Sequence, residues 1–271
     1  MFLKKIIGLL IFSTVIYTQS VSDYAYTGSD ATSLCAAVVA NPGGNWSLFH
    51  NPAAISEVKN IQFEFGTSRL FNQSYLPYSD GGVIFQTGSF GNFGVSVQQM
   101  SINYLGNKLS SELSLGISQG FYLLKDMNST LALGYTFNYL NWNLGKTAGV
   151  SGDGSNGRSS SNLNSMGLDI GLLATLREKH RVGVYIKNFN QPSIGKGLSS
   201  QPLPRRLSIG TTYMPMDGIR TSVVMDRLFG WGIQIKSGFS FDITNYLTMN
   251  IGIQSNPNRM GGGLKIHYSR I

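Results

Sequence analysis

The stretch 232–254, GIQIKSGFSFDITNYLTMNIGIQ, constrains the fold more than any other part of the chain. Apolar and polar residues alternate along it, with one short polar break around Asn245. Because successive side chains of a strand point to opposite faces, this alternation predicts two strands joined by a tight turn. The apolar face of the two strands can pack on a protein core, or it can contact lipid around a polar lumen. Its residues are Ile233, Ile235, Phe239, Phe241, Leu247, Met249, Ile251 and Ile253.

The composition favours the lipid alternative. Only 13% of the residues are charged, whereas soluble domains usually carry about a quarter. A membrane barrel needs fewer charges, because its outer band faces hydrocarbon. The chain has a formal net charge of +8. Its basic residues do not form a cluster, so no nucleic-acid partner is expected. The single cysteine, Cys35, excludes an intramolecular disulfide and a cysteine-based zinc site.

The beginning of the chain has the parts of a secretory signal peptide. Lys4 and Lys5 precede an apolar run over 6–17, and small residues follow near Ser20. This run is too short to favour a membrane-spanning helix. We therefore predict a cleaved signal peptide at residues 1–20.

Residues 21–59 differ from the rest of the chain and form a second predicted region. Asp30 is placed to cap a short helix over 31–40, which an Asn-Pro-Gly-Gly sequence would end. Asn51, Pro52 and Ala53 then predict a turn whose small residues permit close approach to a neighbouring backbone. We expect this region to be a plug or lid at the barrel.

Residues 60–271 predict an all-β fold, an antiparallel transmembrane β-barrel of about 12 strands (12–14). Long and short connections alternate between the strands, as in outer-membrane barrels with external loops and short periplasmic turns. Aromatic residues near the strand ends are typical of a membrane-interface girdle. The expected location is the bacterial outer membrane, with membrane lipid around a monomeric barrel. The predicted long connections are 69–80, 102–111, 143–162 and 189–205, and the short ones are 89–92, 124–128, 177–179 and 215–218.

Several polar residues on the predicted inner face are candidates to line the lumen. They can set the selectivity of a pore, or they can pair with one another in a filled lumen that does not conduct. The second interpretation is favoured, because the residues before the first strand can supply a plug. The candidates are Glu64, Gln234, Lys236, Asp242, Lys265 and His267.

No catalytic residue, metal site or cofactor is predicted. His50, His180 and His267 have no helical ligand spacing, and none lies near the predicted outer rim, where barrel hydrolases hold their histidine. The sequence GDGSNG at 152–157 matches Gly-x-Gly-x-x-Gly, but neither a buried strand nor a helix flanks it. A flexible loop is the favoured interpretation of that stretch.

Several segments resemble the PorV/PorQ-like outer-membrane proteins. They are the small-residue stretch with Ser-Leu-Phe-His-Asn-Pro-Ala-Ala-Ile over 31–55, the strands at 182–189 and 202–213, and the closing hairpin at 252–268. The triplet Asn51-Pro52-Ala53 is also similar to one in the FadL-type channels for hydrophobic compounds.

This resemblance implies a FadL-like barrel with an N-terminal segment tucked into or under it. It also implies a non-enzymatic accessory role in protein secretion of the type IX kind or in surface attachment. The external loops would then bind secretion-system components or a cargo protein. The alternative that the resemblance leaves open is a passive channel for hydrophobic small molecules. The chain departs from the family in its strand number, about 12 where 14 are expected.

Overall fold

The computed structural model describes residues 24–42, 46–104, 107–147, 149–150, 152, 156–158, 162–195, 197 and 200–268, apart from the side chains of residues 89, 104 and 107. The predicted signal peptide and part of the loop at 143–162 lie outside the described residues.

Twelve strands form one antiparallel sheet, and each strand is hydrogen-bonded to its neighbours in chain order. This confirms the predicted all-β architecture and its strand number. A separate two-stranded hairpin, β8 and β9, lies in the connection that was predicted at 189–205. The strands are β1 Gln62–Arg69, β2 Pro77–Gln86, β3 Asn92–Tyr104, β4 Asn107–Lys125, β5 Ser129–Leu144, β6 Asn162–Leu176, β7 His180–Lys187, β8 Ser193–Ile194, β9 Gln201–Pro202, β10 Arg206–Tyr213, β11 Ile219–Leu228, β12 Ile233–Thr244, β13 Leu247–Gln254 and β14 Arg259–Ile266.

The strands alternate between buried polar or small residues and exposed apolar residues. In β13, Asn250 and Gly252 are buried while Ile251 and Ile253 are exposed. The apolar face of the β12–β13 hairpin therefore lies on the outside of the sheet. Exposed apolar side chains recur on the other strands, on a scale that soluble monomers rarely show. An apolar outer face around a polar interior is typical of a membrane barrel.

The predicted hairpins are largely confirmed, with one correction. The tight turn at Asn245 is present, because Thr244 pairs with Leu247. Most of the predicted long connection 102–111 is instead strand: β3 runs to residue 104 and β4 starts at residue 107. The polar residues of that stretch indicate a loop. Strands β3 and β4 nevertheless stay paired up to Tyr104 and Asn107, with a bulge after Ile102. We call the end of the barrel with the longer connections the loop end and the other the turn end.

The inner face of the sheet surrounds residues 24–42 and 46–58, which we call the N-terminal segment. It contains two short α-helices, α1 Ser29–Ser33 and α2 Ser47–His50, and a 3₁₀ helix Pro52–Glu57. The helix predicted over 31–40 is wrong beyond Ser33. Cys35 and Ala36 adopt left-handed backbone angles, with φ of 51° and 60°, and these end the helix. Within the described residues, no helix has the length and apolar character that a membrane crossing requires.

The first and last strands of the sheet, β1 and β14, have no hydrogen-bond ladder between them in the described chain. We call this gap the seam. The N-terminal segment contacts the sheet on both sides of it. The hydroxyl of Thr27 lies 2.9 Å from that of Tyr78 on β2, and the hydroxyl of Tyr26 donates to Gln254 Oε1 on β13 at 2.5 Å.

Candidate functional site

Glycines on the inner wall allow the N-terminal segment to lie directly against the strands. A Cβ on Gly134 would overlap the backbone of Pro52 and Ala53, and one on Gly252 would overlap that of Leu34. Several of these glycines face each other across strands, so that they form a belt around the interior. The glycine belt consists of Gly120, Gly134, Gly171, Gly183, Gly210, Gly238, Gly252 and Gly261.

Sequence reasoning missed the glycine belt, although a signal for it exists. A glycine in the interior of a strand often marks a place where another backbone approaches closely. In the alternating strands these glycines occupy polar-face positions, as Gly252 does between Ile251 and Ile253. Only the register between strands shows that they line up.

The Asn51-Pro52-Ala53 triplet joins two parts of the N-terminal segment to the barrel wall. The fully buried Asn51 donates from Nδ2 to the carbonyls of Val39, at 2.9 Å, and of Leu172 on β6, at 3.1 Å. Its Oδ1 accepts from the backbone N–H of Ala53 at 3.1 Å, which caps the 3₁₀ helix. All hydrogen-bonding atoms of this side chain are thus used to hold the segment in place.

Two of the candidate lumen residues are lysines that pair with acidic groups. Lys236 is 1% exposed and donates to Asp226 on the neighbouring strand. Lys265 Nζ donates to Asp30 Oδ2 in the N-terminal segment at 2.8 Å. Both contacts match the interpretation of a filled lumen in which inner charges are paired.

The remaining candidates lie at different heights along the wall. Gln234 donates to the carbonyl of Asn256 near the loop end. Asp242, near the turn end, accepts from Arg220 at 2.7 Å and from Thr248, whose hydroxyl also contacts His267. Glu64 is buried, and its carboxylate oxygens have no hydrogen-bond partner among the described residues. The six candidates therefore do not converge on one site.

A cavity of about 30 Å³ opens beside the N-terminal segment in the half of the barrel nearer the loop end. Its wall combines apolar side chains of the segment with charged side chains of β7 and β10–β12. The lining includes Tyr24, Val38, Val39, Phe49, Lys187, Arg206, Asp226 and Lys236.

A larger cavity of about 350 Å³ lies at the turn end. It is lined by Pro42, Ala54 and Val58 and by polar groups that include the ion pair of Glu57 with Arg181. The N-terminal segment separates it from the loop-end cavity. Ala53 and Ile55, in its 3₁₀ helix, are completely buried.

Burial shifts the pKa of several titratable groups of the segment, among them His50 and Cys35. His50 Nε2 donates to the carbonyl of Thr27 at 2.7 Å, and burial lowers the pKa of this histidine to about 4. It is therefore neutral at neutral pH. Burial raises the pKa of the Cys35 thiol, which keeps it in its less reactive protonated form.

No protein-family profile matches the chain, and no curated protein matches its sequence. Solved structures do match. The chain is similar to the "TodX deltaS2S3 mutant monoaromatic hydrocarbon channel", with a TM-score of 0.53 and 14% identity over 84% of this chain and 83% of that one. It is also similar to the TodX deltaS2 mutant, with a TM-score of 0.50 and 12% identity over 83% and 85% of the chains. A FadL homologue from Pseudomonas aeruginosa follows, with a TM-score of 0.49 and 8% identity over 90% and 82%. At these identities the likeness concerns the fold, and the chain has the antiparallel β-barrel fold of the TodX channel structures.

Proposed function

We propose that the protein is a non-enzymatic outer-membrane β-barrel that passes small hydrophobic molecules from the cell surface into the membrane. The barrel fold that it shares with a monoaromatic hydrocarbon channel supports this function. The exposed apolar outer face and the predicted signal peptide support the location.

The observation that carries the proposal is a filled lumen inside a wall that is not closed. The N-terminal segment blocks a straight path, and its fully buried Ala53 and Ile55 pack against residues of the barrel wall. The seam between β1 and β14 has no backbone ladder that would have to break. The loop-end cavity has room for about one water molecule, so a hydrophobic molecule enters it only by displacing side chains of the N-terminal segment. It can then leave sideways into lipid through the seam, whereas a hydrophilic solute gains nothing from that route.

Tyr24 connects the loop-end cavity to the seam. It lines the cavity, and its ring packs against Tyr78 of β2, with 4.8 Å between the ring centroids. Tyr78 in turn lies in a small apolar cluster with Leu70 and Met100. Apolar and aromatic surface thus extends from the cavity toward the edge of the sheet.

A catalytic function finds less support in the arrangement of the histidines. His50 contacts a backbone carbonyl, His180 stacks on Tyr213, and His267 contacts a threonine hydroxyl. Among the described residues, the hydrogen bonds do not join a serine, a histidine and a carboxylate into a nucleophilic site.

The secretion role that the PorV/PorQ resemblance implies stays a prediction. No contact in the described chain and no comparison bears on it. Co-purification from native membranes would separate the two functions, since a secretion component in stoichiometric amount would favour the accessory role.

Uptake of toluene by cells that express the protein tests the channel function. We expect faster uptake than in cells with an empty vector. Cells that express Phe49→Glu, which puts a charge into the loop-end cavity, should take up toluene several-fold more slowly than cells with the unmodified protein. Phe71→Glu is the matched control, because Phe71 is exposed in the connection between β1 and β2. Uptake equal to the empty vector, with the barrel folded in the membrane, would contradict the proposal. Rapid swelling of liposomes in sugar solutions would contradict the filled lumen.

A further inference from the structure

Two carboxylates on the inner wall beside the seam are buried without a partner. Glu64 on β1 is 6% exposed, and Asp80 on β2 is 4% exposed. Both carboxylate oxygens of Glu64 and Oδ2 of Asp80 are inaccessible and have no hydrogen-bond partner among the described residues.

The strand register brings the two groups together. Glu64 lies opposite Gly82, and Asp80 lies opposite Gly66, so that the two acidic residues are diagonal neighbours on one face. A Cβ on Gly66 would lie 2.7 Å from Asp80 Oδ2, and one on Gly82 would lie 3.5 Å from Glu64 Oε1. Each carboxylate therefore extends over a glycine of the other strand, and the side chain of Leu48 also packs over Gly82.

Other inward carboxylates of the barrel have donors. Asp226 accepts from Lys236, Asp169 accepts from Tyr185 at 2.9 Å, and Asp30 accepts from Lys265. The fold thus satisfies buried acidic groups where it uses them to hold strands and segment together. Glu64 and Asp80 are the carboxylates whose buried oxygens lack such a donor in the described chain.

Two unpaired carboxylates in one buried site are strongly unfavourable, because both charges lose water and repel each other. A bound cation removes both penalties. Gln62, two residues before Glu64 on the same face, also has a buried Oε1 without a partner, and it lines the turn-end cavity. Glu64 and Asp80 therefore offer carboxylate oxygens, the ligand chemistry of hard divalent cations.

We propose that Glu64 and Asp80 bind a hard divalent cation such as Ca²⁺ on the inner wall behind the seam. Water and backbone carbonyls complete the coordination shell, as is usual when few carboxylates are available. The ion cross-links β1 to β2 and so stiffens one of the two edge strands at the seam.

Calorimetric titration of the full chain in detergent, after treatment with EDTA, tests the site with CaCl₂ and MgCl₂ as probes at pH 7 and pH 8. We expect one Ca²⁺ site, and a loss of affinity of about tenfold or more in both Glu64→Gln and Asp80→Asn. These variants keep the side-chain shapes. Asp217→Asn, in the exposed turn before β11, is the matched control and should bind Ca²⁺ as the unmodified protein does.

The folded state is monitored in each sample by the gel mobility shift on heating. Absence of Ca²⁺ binding by the folded protein at both pH values overturns the proposal. That result is expected if the two carboxylates share a proton instead of binding an ion. Unchanged Ca²⁺ affinity in both variants also overturns it. Because no hydrocarbon takes part in this assay, its failure is distinguishable from failure of the proposed channel function.

Discussion

Asp30 accepts a hydrogen bond from Lys265 at 2.8 Å, although 235 residues separate them in the chain. Asn250 of β13 also donates to Asp30, at 3.3 Å. Helix α1 is thus tied to the last two strands, while Thr27, just before it, contacts Tyr78 of β2. The N-terminal segment therefore holds together the two ends of a sheet that backbone hydrogen bonds do not join.

Lys265→Met should weaken this link only modestly. The lysine side chain is 40% exposed, and ion pairs in contact with water contribute at most about 1 kcal/mol. We expect a correspondingly small drop in the free energy of unfolding, measured by urea titration in lipid vesicles. When Lys265→Met is introduced into the Asp30→Asn variant, it should lower the free energy of unfolding by less than it does in the unmodified protein. The ion pair is already broken in that variant. Lys179→Met, in an exposed turn, is the control, and an equal effect there would remove the role assigned to the pair.

Gly134→Val should displace the N-terminal segment. A side chain here overlaps the backbone of Pro52 and Ala53, and overpacking of this kind costs about 1–3 kcal/mol or more. Valine favours strands, so any loss of stability has to come from the overlap. Gly232→Val is the matched control, because nothing lies within 4 Å of its Cβ position. Limited proteolysis of the segment measures the effect, and equal cleavage of both variants would refute the close contact.

The outer face of the barrel could be predicted because its signal is local. The alternation of apolar and polar residues around Ile251 and Ile253 is visible within a few positions of the sequence. The polar break at Asn245 is visible in the same way. The strand number and the face that points outward follow from that repeated pattern. The strand pairing within residues 102–111 escaped prediction, because its polar residues indicate a loop by local rules.

The interior could not be predicted, because it depends on contacts between distant residues. The small side chains after Asp30 indicate a helix by local rules, but the chain bends at Cys35 to follow a wall that includes Gly252 and Gly261. The pairing of Lys236 with Asp226 likewise depends on the register of β11 with β12. Whether an inward carboxylate has a donor is therefore known only once all strands are placed.

Asn51→Ala should be among the most damaging single changes in the segment. It removes the donor to Val39 and Leu172 and the acceptor for Ala53, leaving buried backbone groups unpaired. An unsatisfied buried polar group costs about 1–3 kcal/mol. We expect a loss of stability in that range and faster proteolysis of the segment. Asn60→Ala, an exposed position before β1, should change neither, and a comparable loss there would argue against a specific role of Asn51.

His50 should make the barrel less stable in mild acid. Burial lowers its pKa to about 4 from an ordinary value of 6.5. The unfolded chain therefore takes up a proton below about pH 6.5, whereas the folded chain does so only near pH 4, and stability falls as the pH falls through this window. The slope from this group approaches about 1.4 kcal/mol per pH unit.

Urea titrations of the unmodified protein and of His50→Gln at several pH values isolate that contribution. The glutamine amide can still donate to the carbonyl of Thr27 but does not titrate. The difference in unfolding free energy between the two proteins should change between pH 6.5 and pH 4 and stay constant above. A difference that is independent of pH would show that His50 is not buried in its neutral form.

Phe239→Arg should test which face of β12 contacts lipid. Phe239 points outward, and it pairs across the strands with Ile251, which is also exposed. An arginine near the bilayer midplane costs about 2–4 kcal/mol, whereas one near the interface costs about 0–1 kcal/mol. Phe90→Arg, in the exposed turn between β2 and β3, should therefore be mild.

The alternation alone suggests that Asn250 on the opposite face tolerates a charge, but its amide donates to Asp30 and Ser33, so Asn250→Arg should also destabilise. Folding titrations in lipid vesicles measure all three, and a cost at Phe90 that exceeds the cost at Phe239 would reverse the assignment of the outer face.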